Sequence, residues 1–212
     1  MGKIFYVMGK SSSGKDTIFA NILGRKELHL NQIILYTTRP ARANETDGVQ
    51  YHFVNEEKLN ELERAGKVIE LRAYQVVGGV WKYFTVDDEN IDLQNKDYIA
   101  IGTLVSYEKL REYYGTDKIV PIYIEVADDV RLERALIRER GQASPNYDEL
   151  CRRYLADNKD FSEENIRKAG ITRRFCNNGD RLRCMDEIAS FISETRKKSY
   201  VKSENYGIML PA

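Results

Sequence analysis

Apolar residues along the chain fall in two rhythms. Short unbroken runs at Ile4 to Met8, Ile33 to Leu35, Tyr98 to Ile101 and Ile119 to Val126 are what strands buried on both faces require. Elsewhere apolar residues recur every three or four positions. This holds over Asp16 to Leu23, with Ile18, Ile22 and Leu23 pointing inward, over Ser106 to Tyr114, and over Val130 to Arg140, capped by Asp128 or Asp129. It holds again over 147–158 and over 181–198, where Leu182, Met185, Ile188 and Ile192 share a face. Strand and helix in alternation predict an α/β fold around a central parallel sheet. The tail beyond Tyr200 is polar and reads as loose.

Between about residues 36 and 90 the alternation stops. Thr38 to Gly48, with Pro40, Asn44, Asp47 and Gly48, reads as a loop. Asn55 caps a helix through Ala65 that Gly66 closes, and Val68 to Leu71 and Trp81 to Val86 read as strands joined by a turn at Gly78 and Gly79. The expected organisation is a single domain, with a core from about 1–35, 91–127 and 171–199, a β-rich insert at about 36–90 and a helical segment at about 128–170.

Composition narrows the chemistry. The 212 residues are enough for one sizeable core, and Lys+Arg balance Asp+Glu at 33 each, so no global field draws the chain to nucleic acid. No stretch is long and apolar enough for a membrane span, and the first residues lack the pattern of a signal peptide, which points to a cytoplasmic protein with no membrane partner. Cys151, Cys176 and Cys184 show no CxxC spacing, and only His29 and His52 offer imidazoles, which argues against a disulfide framework and a transition-metal site. Any anion site must be local.

One such site is evident. Gly9-Lys10-Ser11-Ser12-Ser13-Gly14-Lys15 satisfies GxxxxGK between a buried strand and an amphipathic helix. Glycines let successive N–H groups converge on phosphate oxygens, the helix N-terminus adds partial positive charge, and Lys15 bridges the outer phosphates, which predicts ATP as ligand. The motif expects a Ser or Thr hydroxyl on Mg²⁺ after the lysine, but this chain has Asp16, followed by Thr17. A carboxylate is also a hard-oxygen ligand, so Asp16 either binds Mg²⁺ or caps its own helix.

A second constellation follows: Thr37-Thr38-Arg39-Pro40-Ala41-Arg42, then Glu45, Asp47, Gly48, Tyr51 and Phe53. Two arginines three apart on a proline-bearing loop can fork around a phosphate, with Tyr51 at its edge; a surface loop with scattered basic residues is the alternative. The pattern TTR-x-x-R-x-x-E-x-x-G-x-x-Y-x-F after a phosphate loop resembles the guanylate kinase family of P-loop nucleoside monophosphate kinases, and the likeness spans roughly residues 3–195.

That resemblance implies a P-loop NTPase three-layer fold, in which the insert binds the monophosphate and residues 128–170 form a lid. It implies ATP and Mg²⁺ as cofactors, GMP or dGMP as acceptor, nucleotides as the only partners, and a monomer or homodimer. Arg39, Arg42 and Tyr51 would hold the acceptor phosphate, Glu70 would read the guanine edge, and Tyr83 and Thr85 would contact phosphate and base. Lid arginines would fold over ATP: Arg134 and Arg138 on one helix face, Arg140 before Gly141, and Arg152 or Arg153 beyond. Of these, Arg138, Arg140 and Arg153 would act with Lys15, Arg39 and Arg42 in catalysis, although Arg134 and Arg138 can equally pair with Glu133 and Glu139.

Three positions depart from the family pattern. Leu35 or Tyr36 stands where a serine helps to read guanine, Phe84 interrupts Tyr83 and Thr85, and the strand from Tyr98 continues Ile99-Ala100-Ile101-Gly102-Thr103 where acids of an Asp-x-Asp pattern are expected. Two other readings therefore stay open: a related kinase acting on a phosphorylated sugar, and a catalytically weak module that binds a ligand or a protein.

Overall fold

The computed structural model describes residues 1–76, 79–88 and 91–206. Strand β1 (Ile4–Met8) is buried at all five positions and lies at the centre of a five-stranded parallel sheet of order β2-β7-β1-β8-β9. Its companions are β2 (Leu30–Gln32), β7 (Asp97–Gly102), β8 (Ile119–Glu125) and β9 (Arg174–Cys176).

Alternation along β1 sorts its side chains into two layers. Ile4, Tyr6 and Met8 pack with Leu104, Tyr107 and Leu110 of α3 (Leu104–Tyr114). Phe5 and Val7 pack on the other face with Ile18 and Ile22 of α1 (Lys15–Gly24) and with Met185, Ile188 and Ile192 of α7 (Arg181–Tyr206). Each such side chain taken out of water contributes about 1.5–3 kcal/mol.

The insert forms a second sheet of order β4-β3-β6-β5, from β3 (Tyr36–Thr37), β4 (His52–Phe53), β5 (Val68–Val76) and β6 (Gly79–Val86). Against it lies α2 (Glu56–Arg64), whose N-cap Asn55 accepts from the Lys58 N–H at 2.9 Å, and Leu59, Phe84 and Val86 make a small core. The turn expected at Gly78 and Gly79 falls partly outside the described residues, since Gly79 already belongs to β6.

Several expectations need correction. The second apolar strand is Leu30–Gln32, not Ile33 to Leu35: β2 pairs three residues with β7, after which the chain leaves for the insert, burying Ile33 on the way. Asp128 and Asp129 sit inside the first turn of α4 (Asp128–Arg140), whose N-cap is Ala127, so they meet the helix dipole rather than cap the helix. Leu182 is 69% exposed, because α7 joins the core beneath the sheet from Cys184 onward. That helix runs to Tyr206, through residues read as loose. Helix α5 (Tyr147–Asp160) was expected, whereas α6 (Glu163–Lys168) and β9 were not. Among the described residues no helix is long and apolar enough to cross a membrane.

Candidate functional site

The phosphate loop leaves β1 at Met8 and turns back into α1. Its N-cap, Gly14, is left-handed at φ 82°, and a Cβ there would meet Asn177 Nδ2 at 2.7 Å. Asn177, fully buried after β9, donates to the Ser13 carbonyl at 2.8 Å and so braces the loop from behind. Ser12 holds a positive φ of 64°, a conformation uncommon outside glycine and concentrated at functional turns. The Ser12 and Ser13 hydroxyls are buried without a partner, as expected of groups that await phosphate oxygens.

The loop already holds an anion. Ser11 N–H donates to Asp157 Oδ2 at 2.7 Å, and Lys10 Nζ donates to Asn158 Oδ1 at 2.8 Å, both on α5. Arg131 of α4 locks this docking: it is 1% exposed, donates to Asp128 Oδ1 at 2.9 Å and Asn158 Oδ1 at 2.6 Å, and stacks over Tyr154 at 4.0 Å. Arg131, Asp157 and Asn177 escaped the sequence reading. A buried arginine leaves no trace in a helical pattern, and the other two lie far along the chain from the motif they serve.

Gly14 being the N-cap, Asp16 does not cap α1; its side chain is 85% exposed, 3.8 Å from Lys15 Nζ. An exposed carboxylate beside the cradle suits Mg²⁺, which needs only one or two protein oxygens besides phosphate and water. Thr17 is exposed one residue further along α1. Among the described residues no group of three His, Cys, Asp or Glu side chains gathers as a metal cage.

A cleft of about 220 Å³ separates the loop from the insert, lined by Lys15, Asp16, Leu35, Tyr51, Arg72 and Tyr83 among others. Tyr51 packs edge-on against Tyr83 at 5.6 Å. Behind these rings Arg39 is 4% exposed and clamps Glu45 through Nη1 (2.9 Å) and Nη2 (2.8 Å). The guanidinium holds the Glu45 carboxyl down at about 2, helped by the Arg42 backbone N–H, which donates at 2.8 Å. The Arg42 side chain is exposed. The two arginines thus do not form a fork here: Arg39 is buried against Glu45, and Arg42 is exposed.

Glu70, 7% exposed, accepts from Thr85 Oγ1 at 2.8 Å and from Arg72 at 3.0 and 3.2 Å. Arg72 was not anticipated; its position two residues from Glu70 on a strand, hence on the same face, is the signal that could have found it. Phe84 faces away, into the insert core, stacked on Tyr36 at 5.5 Å, so it does not intrude on the base site. Leu35 does line the cleft. Where acids were expected on β7, Ile99 and Ala100 are buried in the core, and Gly102 lies over Tyr6, whose hydroxyl donates to Ser106 Oγ at 2.7 Å.

A larger cleft of about 960 Å³ opens between the loop, β5 and α5, and brings Lys15 and Ser11 together with Arg153 and Asp157. Arg138 and Arg153 meet Ser11 and Ser12 in an adjoining recess. Arg140 is exposed at the end of α4, and Arg152 is taken by Glu149 at 2.7 Å. The expected pairing with Glu139 is not what holds Arg138, since buried Glu139 accepts from Gln142 Nε2 (2.7 Å) and the Asn146 N–H (2.6 Å). Arg134 donates to the Asn178 carbonyl at 3.3 Å.

The chain resembles known proteins over most of its length. The family described as guanylate kinase matches residues 1–146. A guanylate kinase of Malacoplasma penetrans is 27% identical over 208 residues, 95% of this chain and 94% of that protein. One of Desulfotalea psychrophila is 41% identical over 69 residues, 32% of this chain and 34% of that protein. The crystal structure of guanylate kinase from Anaplasma phagocytophilum superimposes with a TM-score of 0.60 at 20% identity, covering 91% of this chain and 85% of that one.

Proposed function

The chain belongs to the guanylate kinase family, and from this premise we propose that it transfers the γ-phosphoryl group of ATP to GMP or dGMP, giving the diphosphate and ADP. The observation that carries the reading is that Lys15 lines both clefts, one continuous with an anion-holding loop and the other walled by Tyr51, Tyr83 and Arg72, the partner of Glu70. A lysine at that junction faces both reacting phosphates. A pure binding module has no need of it, and a sugar phosphate would leave Glu70 and Thr85 without a base to read.

In the reaction an acceptor phosphate oxygen attacks the γ-phosphorus while the bond to the β-bridging oxygen breaks, and ADP departs with the electron pair. Little covalent chemistry falls to the protein; positioning and charge neutralisation dominate. The loop N–H groups and Lys15 hold the donor phosphates once Asp157 releases Ser11. Arg138 and Arg153 approach the transferring group from the lid, and Arg140 can follow on closure. Arg39, Arg42, Tyr51 and Tyr83 hold the acceptor phosphate, while Glu70 and Thr85 face its base. Mg²⁺ bound with the nucleotide neutralises phosphate charge, and Asp16 is the side chain to hold it, directly or through water.

We place the activity in the cytoplasm, in a single domain whose insert and lid close on a common core. The test is an ADP-release assay with ATP and, in turn, GMP, dGMP, AMP, UMP and ribose 5-phosphate. Turnover of the guanine nucleotides alone is expected, and turnover of none would favour the binding module.

A further inference from the structure

We propose that Arg72 shares the reading of the acceptor base with Glu70, so that the site recognises the 6-oxo edge of a purine and reads its 2-amino group only weakly. The inference rests on the acceptor assignment made above and deepens it.

Glu70 and Arg72 stand two apart on β5, opposite Thr85 and Tyr83 of β6, and so point to one face of the insert. The carboxylate is heavily engaged. Its Oε1 accepts from Thr85 Oγ1 (2.8 Å) and Arg72 Nη2 (3.2 Å), and its Oε2 accepts from Arg72 Nε (3.0 Å). An ionised carboxylate offers about four lone-pair sites, so roughly one is left. Guanine presents two donors side by side, N1–H and the 2-amino group, and reading both on Glu70 would require Arg72 to let go.

Arg72 is built to stay. Burial is the largest single influence and opposes its charge, but the Glu70 carboxylate together with Tyr6 and Tyr74 outweighs it and raises the guanidinium pKa. The side chain lines the acceptor cleft, and its third nitrogen, Nη1, takes no part in the pair. A guanidinium nitrogen there is a donor to the purine O6, the complement of a carboxylate accepting from N1–H. Leu35, on the same cleft, brings no hydrogen-bonding side chain that could do this instead. Arg72 and Glu70 together therefore present one donor and one acceptor, which match O6 and N1–H of any 6-oxopurine monophosphate and mismatch adenine at both positions.

The test compares kcat/KM for GMP, IMP and AMP in the parent enzyme, Arg72→Ala and Arg72→Gln, with thermal unfolding to check that the variants fold. Inosine keeps O6 and N1–H and lacks only the 2-amino group. The parent should use IMP within about tenfold of GMP, because a single group that is weakly read discriminates little. Arg72→Ala should lose about 10- to 100-fold on both, as a charge-assisted hydrogen bond is removed, and should widen the GMP to IMP ratio because Glu70 is freed to accept both guanine donors. Arg72→Gln, which keeps a donor, should recover part of the loss. A parent enzyme that prefers GMP over IMP by more than about a hundredfold, a discrimination typical of a site built to bond the missing group, would overturn the proposal, and this measurement decides even if Arg72→Ala fails to fold. An unchanged ratio in a folded Arg72→Ala would overturn it too. Failure of the underlying assignment looks different: none of the purine monophosphates would be phosphorylated.

Discussion

At the residue scale the loop from Thr38 to Gly48 is organised by one ion pair, Arg39 with Glu45. Arg39 would have to present its guanidinium to a phosphate while Glu45 holds two of its nitrogens, so the carboxylate orients the arginine and also competes for it. The Glu45 carboxyl titrates near 2 in the folded protein against 4.5 in its absence, so the folded state binds the proton less readily. Its contribution to stability is complete above about pH 4.5 and is lost as the pH falls toward 2. Glu45→Gln should thus unfold at a lower temperature than the parent at neutral pH, with a gap that narrows between pH 4.5 and 2. A gap that stays constant across that range would show that the pair does not stabilise the loop. The sequence showed Arg39, Glu45 and Tyr51 through their spacing. It could not show that Arg39 is bound by Glu45 while Arg42 is exposed, because both occupy the same loop and burial alone separates them.

At the scale of elements the segment 128–170 is legible as two helices and opaque as a docking surface. The periodicity of 130–140 and 147–158 marks α4 and α5, but the contacts that seat them on the phosphate loop come from Arg131, Asp157 and Asn158, polar residues with no periodic signature. The short elements α6 and β9 were missed because six and three residues carry too little pattern to stand out from loops. Since Asp157 occupies the Ser11 N–H, a nucleotide must first displace it. Asp157→Ala should bind a non-hydrolysable ATP analogue more tightly, by up to about tenfold, the value of one charge-assisted hydrogen bond at its lower limit. Calorimetric titration of both proteins measures this, and equal or weaker binding in the variant would mean that the docked lid does not compete with nucleotide.

At the scale of the whole molecule, the alternation of strand and helix was enough to predict the parallel sheet, because strands buried on both faces must be continuous in apolar residues. The order β2-β7-β1-β8-β9 lay beyond it, since β2 and β7, which pair directly, are separated in the chain by all four strands of the insert. Nucleotides would touch core, insert and lid together and so should stabilise the chain as a unit. At about a hundred times Kd the gain is about 2.7 kcal/mol. For a chain of this size that corresponds to a rise in Tm of about 5–11 °C. The rise with the ATP analogue should be lost in Lys15→Met, whose unliganded Tm should stay near that of the parent, whereas a full shift in that variant would remove Lys15 from the phosphate site.

The packing of Tyr6 beneath Gly102 has an evolutionary consequence. A Cβ on residue 102 would lie 2.1 Å from the Tyr6 hydroxyl and 2.8 Å from Ser106 Oγ, so no side chain can enter there while the tyrosine remains. An acid cannot be restored at this point of β7 by one substitution. The tyrosine would have to shrink first, and that step by itself opens a void in the core and leaves the Ser106 hydroxyl only its bonds to Thr103. An acid at this point of β7 thus needs two linked substitutions, one at Tyr6 and one at Gly102, whereas Asp16 and Arg72 already line the cleft.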